Sequence, residues 1–284
     1  MPLDLFVVFA GGTVAACLSW LYFRRYVVTR PPIGVFNLGD VALLMTAIAV
    51  IPYLYLELPL IVVACVLTLS MTSILYFTLE PVLRRRPAIL VAAVMVGVDT
   101  ALALTQSTTS NTFLMLNNGL MVAAVVGVAN LWAQSGMGAR EVTVLGAALA
   151  VYDFVATSQL TLMTDLIGRL SDIPLVPFVA WDTASGAGLG VGVGDLLLLS
   201  VFPLSMRKSF GRKAGLVGLC VGLAVLAGIL LVIELGVIET AIPVMVVLGP
   251  LMVAQYVLWD RRLPQRTTWQ YLRAEPLAGA GSGA

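Results

Sequence analysis

Histidine is absent from the 284 residues of this chain, and its absence removes whole classes of chemistry. Ser–His hydrolysis, HExxH zinc sites and imidazole proton relays each need that ring. Charge is scarce as well: charged residues make up 11% of the chain against 60% hydrophobic ones, with a mean hydropathy of +1.01. That composition lies far from the soluble range and predicts an integral membrane protein. The net charge of +1 gives no reason to expect a nucleic-acid partner. Cysteine is limited to Cys17, Cys65 and Cys220, each alone in an apolar run with no CxxC spacing, so all three read as buried packing residues.

What the chain does have is a series of long apolar runs. A hydrocarbon core of about 30 Å needs roughly 20 apolar residues per helix, and irregular backbone cannot face lipid. Nine segments meet the requirement: Leu3 to Phe23, Asp40 to Leu56, Leu58 to Leu79, Ala88 to Gln106, Phe113 to Gln134, Glu141 to Met163, Gly190 to Met206, Ala214 to Leu235 and Ala241 to Trp259. The first has Asp4 before it and Arg24 and Arg25 after it, the reverse of a cleavable signal peptide, and is expected to remain as a transmembrane helix. The fold class predicted is thus an all-α membrane protein with nine transmembrane helices.

Positive charge tests the count, because Lys and Arg favour the cytoplasmic side of a membrane. Arg24, Arg25 and Arg30 follow segment 1, Arg84 to Arg86 follow segment 3, and Arg140 follows segment 5. Arg207, Lys208, Arg212 and Lys213 follow segment 7, and Arg261, Arg262, Arg266 and Arg273 follow segment 9. Nine spans therefore put 15 of the 16 basic residues on one face, with Arg169 alone opposite. The predicted orientation is N-terminus outside, C-terminus cytoplasmic. Arginine outnumbers lysine 14 to 2, the bias of a GC-rich prokaryotic genome, so the expected location is the cell membrane, as a multi-pass protein. Residues 1–140 then form helices 1 to 5, a scaffold; residues 141–259 form helices 6 to 9; residues 260–284 form a cytoplasmic tail, Gly/Ala-rich and disordered from Leu277.

An ionisable residue near the bilayer centre costs at least about 2.5 kcal/mol, so each one calls for a partner or a function. Asp99, Asp153 and Asp195 stand out. Asp153 lies 13 residues after Arg140 and Asp195 lies 12 residues before Arg207, on consecutive antiparallel segments. Both are therefore roughly 18 to 20 Å from the cytoplasmic charges, at matching depth. Two carboxyls meeting in low dielectric share one proton near neutral pH, the state an aspartic hydrolase needs. Midplane acids serve equally as a transporter's proton or cation site. Asp99 reads as structural, paired with Thr100, Thr105, Asn117 or Asn130, or lining a water path.

Glycine occupies every second position from Gly186 through Gly188, Gly190 and Gly192 to Gly194. Period two sets these residues along one face of an extended chain, unlike the four-residue period of helix packing. An extended approach to the seventh helix is expected, with room for a substrate backbone; the run taken alone fits a flexible loop followed by small-residue packing equally well. Asp165, Asp172 and Asp182, with Ser171, Thr183 and Ser185, make the preceding connection polar, a wet entrance or simply a solvated loop.

These residues resemble the GxGD intramembrane aspartyl proteases, the family that includes presenilin and signal peptide peptidase. Tyr152-Asp153 matches the family's YD motif on its sixth helix, and Gly192-Val193-Gly194-Asp195 matches GxGD on its seventh, with Ser200 where presenilins often carry serine. Thr240-Ala241-Ile242-Pro243, followed by Gly249, is similar to the PAL motif at the ninth helix, with Thr240 in place of the first proline and Ile242 in place of leucine. The similarity spans Val151 to Gly249; helices 1 to 5 match in number only.

The resemblance implies a presenilin-like fold and cleavage of peptide bonds within or near transmembrane segments by Asp153 and Asp195, using water and no metal or organic cofactor. It implies support for the pair from Tyr152, Gly192 and Gly194, and substrate contact at Val193, Thr240, Ala241, Ile242 and Pro243. The orientation looks like that of signal peptide peptidase, which implies type II membrane segments or leftover signal peptides as substrates. The alternative is a secondary transporter using midplane acids as its proton or ion site. Against it, the first half carries no matching glycine-broken, acid-bearing segment.

Overall fold

The computed structural model describes residues 3–28, 36–158, 162–171, 173–181, 189–236, 244–267 and 270. Among these the chain forms α1 (Leu3–Arg25), α2 (Leu38–Glu57), α3 (Leu60–Leu83), α4 (Arg85–Gln106), α5 (Asn111–Ser135), α6 (Ala139–Ser158), α7 (Leu162–Leu170), β1 (Phe178–Trp181), β2 (Leu189–Gly192), α8 (Val193–Phe210), α9 (Arg212–Glu234) and α10 (Val244–Asp260). Each apolar run predicted from the sequence overlaps a helix among the described residues, α1 to α6 or α8 to α10. The helix starts follow local chemistry. Asn37 and Asp40 form a reciprocal capping box at α2, and the Ser110 hydroxyl accepts the Phe113 N–H at α5.

The core is built on α5 and α8. α5 packs against α1, α3, α8 and β1, while α8 packs against α1, α5, α6 and α9. α6 is paired along its length with α10. α2, α3 and α4 lie at the periphery, and their outer faces are apolar: Leu43 is 71% exposed, Ile61 71% and Leu104 78%. In water such a surface would drive aggregation; against lipid tails it costs nothing. Among the described residues six helices, α1 to α5 and α9, are long and apolar enough to cross a membrane, and α10 is a shorter apolar helix. This is the architecture of a multi-pass membrane protein.

The described residues are mostly helical, as expected of an all-α membrane protein, with one short antiparallel hairpin of β1 and β2 between α7 and α8. The predicted sixth segment covers α6 and the start of α7, with residues 159–161 outside the described residues. Two expectations need correction. The seventh predicted helix is helical only from Val193, since the preceding residues belong to β2. Cys17, Cys65 and Cys220 are exposed rather than buried, on apolar helix surfaces where a thiol needs no internal cavity.

Candidate active site

The two helices that carry the predicted acids are pinned together at their basic ends. The Ala139 N–H at the start of α6 donates to the Ser209 hydroxyl near the end of α8, at 3.2 Å. Ser209 in turn accepts the Arg266 N–H at its carbonyl, tying the segment after α10 into the same junction. From this contact Asp153 lies fourteen residues along α6, and Asp195 fourteen residues back along α8. At 1.5 Å per residue each is about 21 Å from the pin, so the antiparallel helices carry their acids at one depth. Both residues are half-buried, on helices that pack against each other.

α10 approaches the same place by a close crossing. A side chain at Gly249 would meet the Gly146 carbonyl oxygen and the Ala150 methyl, both at 2.7 Å, so helix backbones touch there as in other small-residue crossings. Counting out from that crossing along antiparallel helices brings Val244, the first described residue of α10, level with Asp153. The predicted substrate residues Thr240, Ala241, Ile242 and Pro243 immediately precede it and lie outside the described residues.

The glycine run is extended where it is described, as its period requires. Val193 N–H donates to the Pro177 carbonyl at 3.1 Å, and the register pairs Phe178 with Gly192, Val179 with Val191 and Ala180 with Gly190. Hydrogen-bonded pairs alternate in an antiparallel ladder. Pro177–Val193 is such a pair, so Val179–Val191 is the next, and the N–H and C=O groups of Gly190 and the N–H of Gly192 point away from β1. Val179 and Val191 turn their side chains inward and are buried; Val179 lies where any side chain on Gly11 of α1 would have to go, 2.7 Å from its Cβ position. Around Gly192 the only described atom near a would-be Cβ is Asp195 Oδ2 at 3.5 Å, and around Gly194 there is none within 4 Å. Among the described residues, packing does not explain these glycines. Gly192 is also the N-cap of α8, so strand becomes helix with no loop between, and Asp195 falls in the first helical turn.

Tyr152 is half-buried beside Asp153, and its hydroxyl is enclosed without a hydrogen-bond partner among the described residues. Ser200 is buried in α8, its Oγ likewise without a partner among them. Asp165 and Ser171 are exposed, whereas Asp172, Asp182, Thr183, Ser185, Gly186 and Gly188 lie outside the described residues.

Asp99 has a different partner from those expected. Its Oδ2 accepts the Leu175 N–H at 3.0 Å, 76 residues away, while Thr100 and Thr105 donate to carbonyls of their own helix and Asn130 donates to the Ser19 and Val126 carbonyls. Asn117 and Asn118 instead hold β1 and the residues before it. Adjacent amides within an apolar span were the available signal for that role. No protein-family model matches the chain, and no curated protein matches it.

Proposed function

We propose that this protein is an intramembrane aspartyl protease with Asp153 and Asp195 as its catalytic pair. The carrying observation is their equal distance, fourteen residues each, from the Ala139–Ser209 contact on the packed antiparallel helices α6 and α8. One carboxylate takes a proton from water as the water oxygen attacks the scissile carbonyl; the other, protonated, hydrogen-bonds to the carbonyl oxygen that gains charge. Collapse of the tetrahedral species breaks the C–N bond, and the departing amine receives a proton from the pair. The proton belongs to the pair rather than to either residue.

A transmembrane substrate arrives as a helix whose amides are already bonded, so cleavage requires local unwinding and replacement partners for the backbone. The outward edge of β2 offers such partners by strand addition, and the described residues leave Gly192 and Gly194 uncovered, with room for a second backbone beside Asp195. Val193 and residues 240–243 complete the substrate groove in this reading.

The reading includes nine spans, α6, α8 and α10 joining the six long apolar helices, with the N-terminus outside and the C-terminus in the cytoplasm. Its support is the grouping of basic residues, among them Arg207 stacked over Trp20 and Phe23 at the end where α1 and α8 meet. Substrates are transmembrane peptides of type II orientation, including signal peptides left after processing. The test is incubation of the purified protein with a labelled transmembrane peptide. Cleavage by the wild type that is lost in both Asp153→Asn and Asp195→Asn supports the proposal. Proton-coupled uptake in liposomes without cleavage would replace it with a transporter.

A further inference from the structure

A two-stranded hairpin has two outer edges, and in a bilayer neither can rely on water for its N–H and C=O groups. The outer edge of β1 is closed by side chains. Asn118 of α5 donates to the Ala180 carbonyl at 2.8 Å and accepts the Ala180 N–H at 3.0 Å, making both bonds that a residue of a third strand would make. Its neighbour Asn117 donates to the Phe178 carbonyl at 3.2 Å and the Val176 carbonyl at 2.9 Å. Just upstream, Leu175 is buried with φ at 61°, a left-handed conformation costly for a leucine, and its N–H is held by Asp99 of α4.

We propose that Asp99, Asn117 and Asn118 are positioning residues that stand in for a third strand, closing the β1 edge and fixing the hairpin so that its glycine edge beside Asp195 is the one presented to a substrate backbone. The inference rests on the protease reading and adds to it the groups that set where along the substrate the cut falls. A hairpin freed on its β1 side can shift against α5, and a shift of β2 moves the paired substrate relative to the two acids. Asp99 acts here as a hydrogen-bond acceptor, so its charge is dispensable and its oxygen is not.

The experiment uses the full chain and the same labelled peptide, with cleavage products identified by mass spectrometry and amide exchange followed over residues 175–181. In Asn118→Leu and Asp99→Leu, KM rises on the order of tenfold for the lost hydrogen bonds, cuts spread to neighbouring peptide bonds, and exchange accelerates. Asp99→Asn, which keeps an acceptor, retains the wild-type KM and cleavage position. If Asn118→Leu does not accumulate, Asn118→Ala provides the same comparison. A destabilised but unshifted enzyme would lose active fraction and keep its cleavage position, which would overturn the proposal, as would Asp99→Asn behaving like Asp99→Leu. If the wild type does not cleave, the protease reading fails separately, and exchange alone judges the clamp: protection at 175–181 unchanged by Asn118→Leu refutes it.

Discussion

Gly249→Ala is a single added methyl at the point where α10 crosses α6, and its consequence follows from two distances. The new Cβ would lie 2.7 Å from both the Gly146 carbonyl oxygen and the Ala150 Cβ, about 0.7 Å inside ordinary contact. Neither obstacle is the end of a flexible side chain, so no rotamer change relieves the clash; the helices must separate. Overpacking of this kind costs about 1–3 kcal/mol. The displacement bears on the candidate site as well, because Val244 starts α10 level with Asp153. Misplacement of a catalytic or substrate-holding group by about 1 Å lowers turnover up to about a hundredfold. Gly228→Ala in α9 is the control, since no atom of the described residues lies within 4 Å of its Cβ position. The assay pairs thermal unfolding in detergent with cleavage of a labelled transmembrane peptide, normalised to folded protein. Gly249→Ala is expected to lose both stability and specific activity while Gly228→Ala keeps both. If Gly249→Ala is as stable and active as the wild type, the close crossing is wrong and the placement of α10 falls with it.

Among the described residues Gly192→Ala meets only Asp195 Oδ2 at 3.5 Å, so the fold is expected to persist; raised KM for the peptide with unchanged melting temperature is the predicted result, checked by steady-state kinetics. The rate of cleavage is expected to follow a bell in pH: acid protonates both carboxyls and removes the base, and alkali ionises both and removes the proton donor. Monotonic pH dependence would count against a shared-proton pair. Lys208 is 1% exposed and donates to the Ala133 and Met137 carbonyls at 2.7 and 2.8 Å, bracing the end of α5. Lys208→Met should destabilise the protein by about 1–3 kcal/mol while leaving activity per folded molecule intact, as measured by unfolding and cleavage in parallel.

The six long apolar helices were legible in the sequence because a bilayer demands about 20 apolar residues per crossing, and that demand is local. So was the extended state of Leu189 to Gly192, since a two-residue glycine period lines one face of an extended chain. The equal depth of Asp153 and Asp195 could be counted from Arg140 and Arg207, and the Ala139–Ser209 contact repeats that count from the other direction. β1 was missed because Phe178 to Trp181 is four residues long after two prolines, too short to carry an alternation, and its stability comes from β2 and α5 rather than from itself. The exposure of the cysteines was missed because lipid and protein interiors select the same apolar residues.

By itself, then, the sequence determined which stretches are apolar helices and how far along its helix each acid lies, because both depend on composition and rise per residue along one chain. Tertiary structure alone decided what each polar group meets. Asp99 finds the Leu175 amide 76 residues away, Asn118 completes a strand it does not belong to, and Gly249 lets two backbones touch. Those pairings depend on how helices rotate about their axes and cross, which is set by side-chain packing between segments distant in the chain and has no one-dimensional signature.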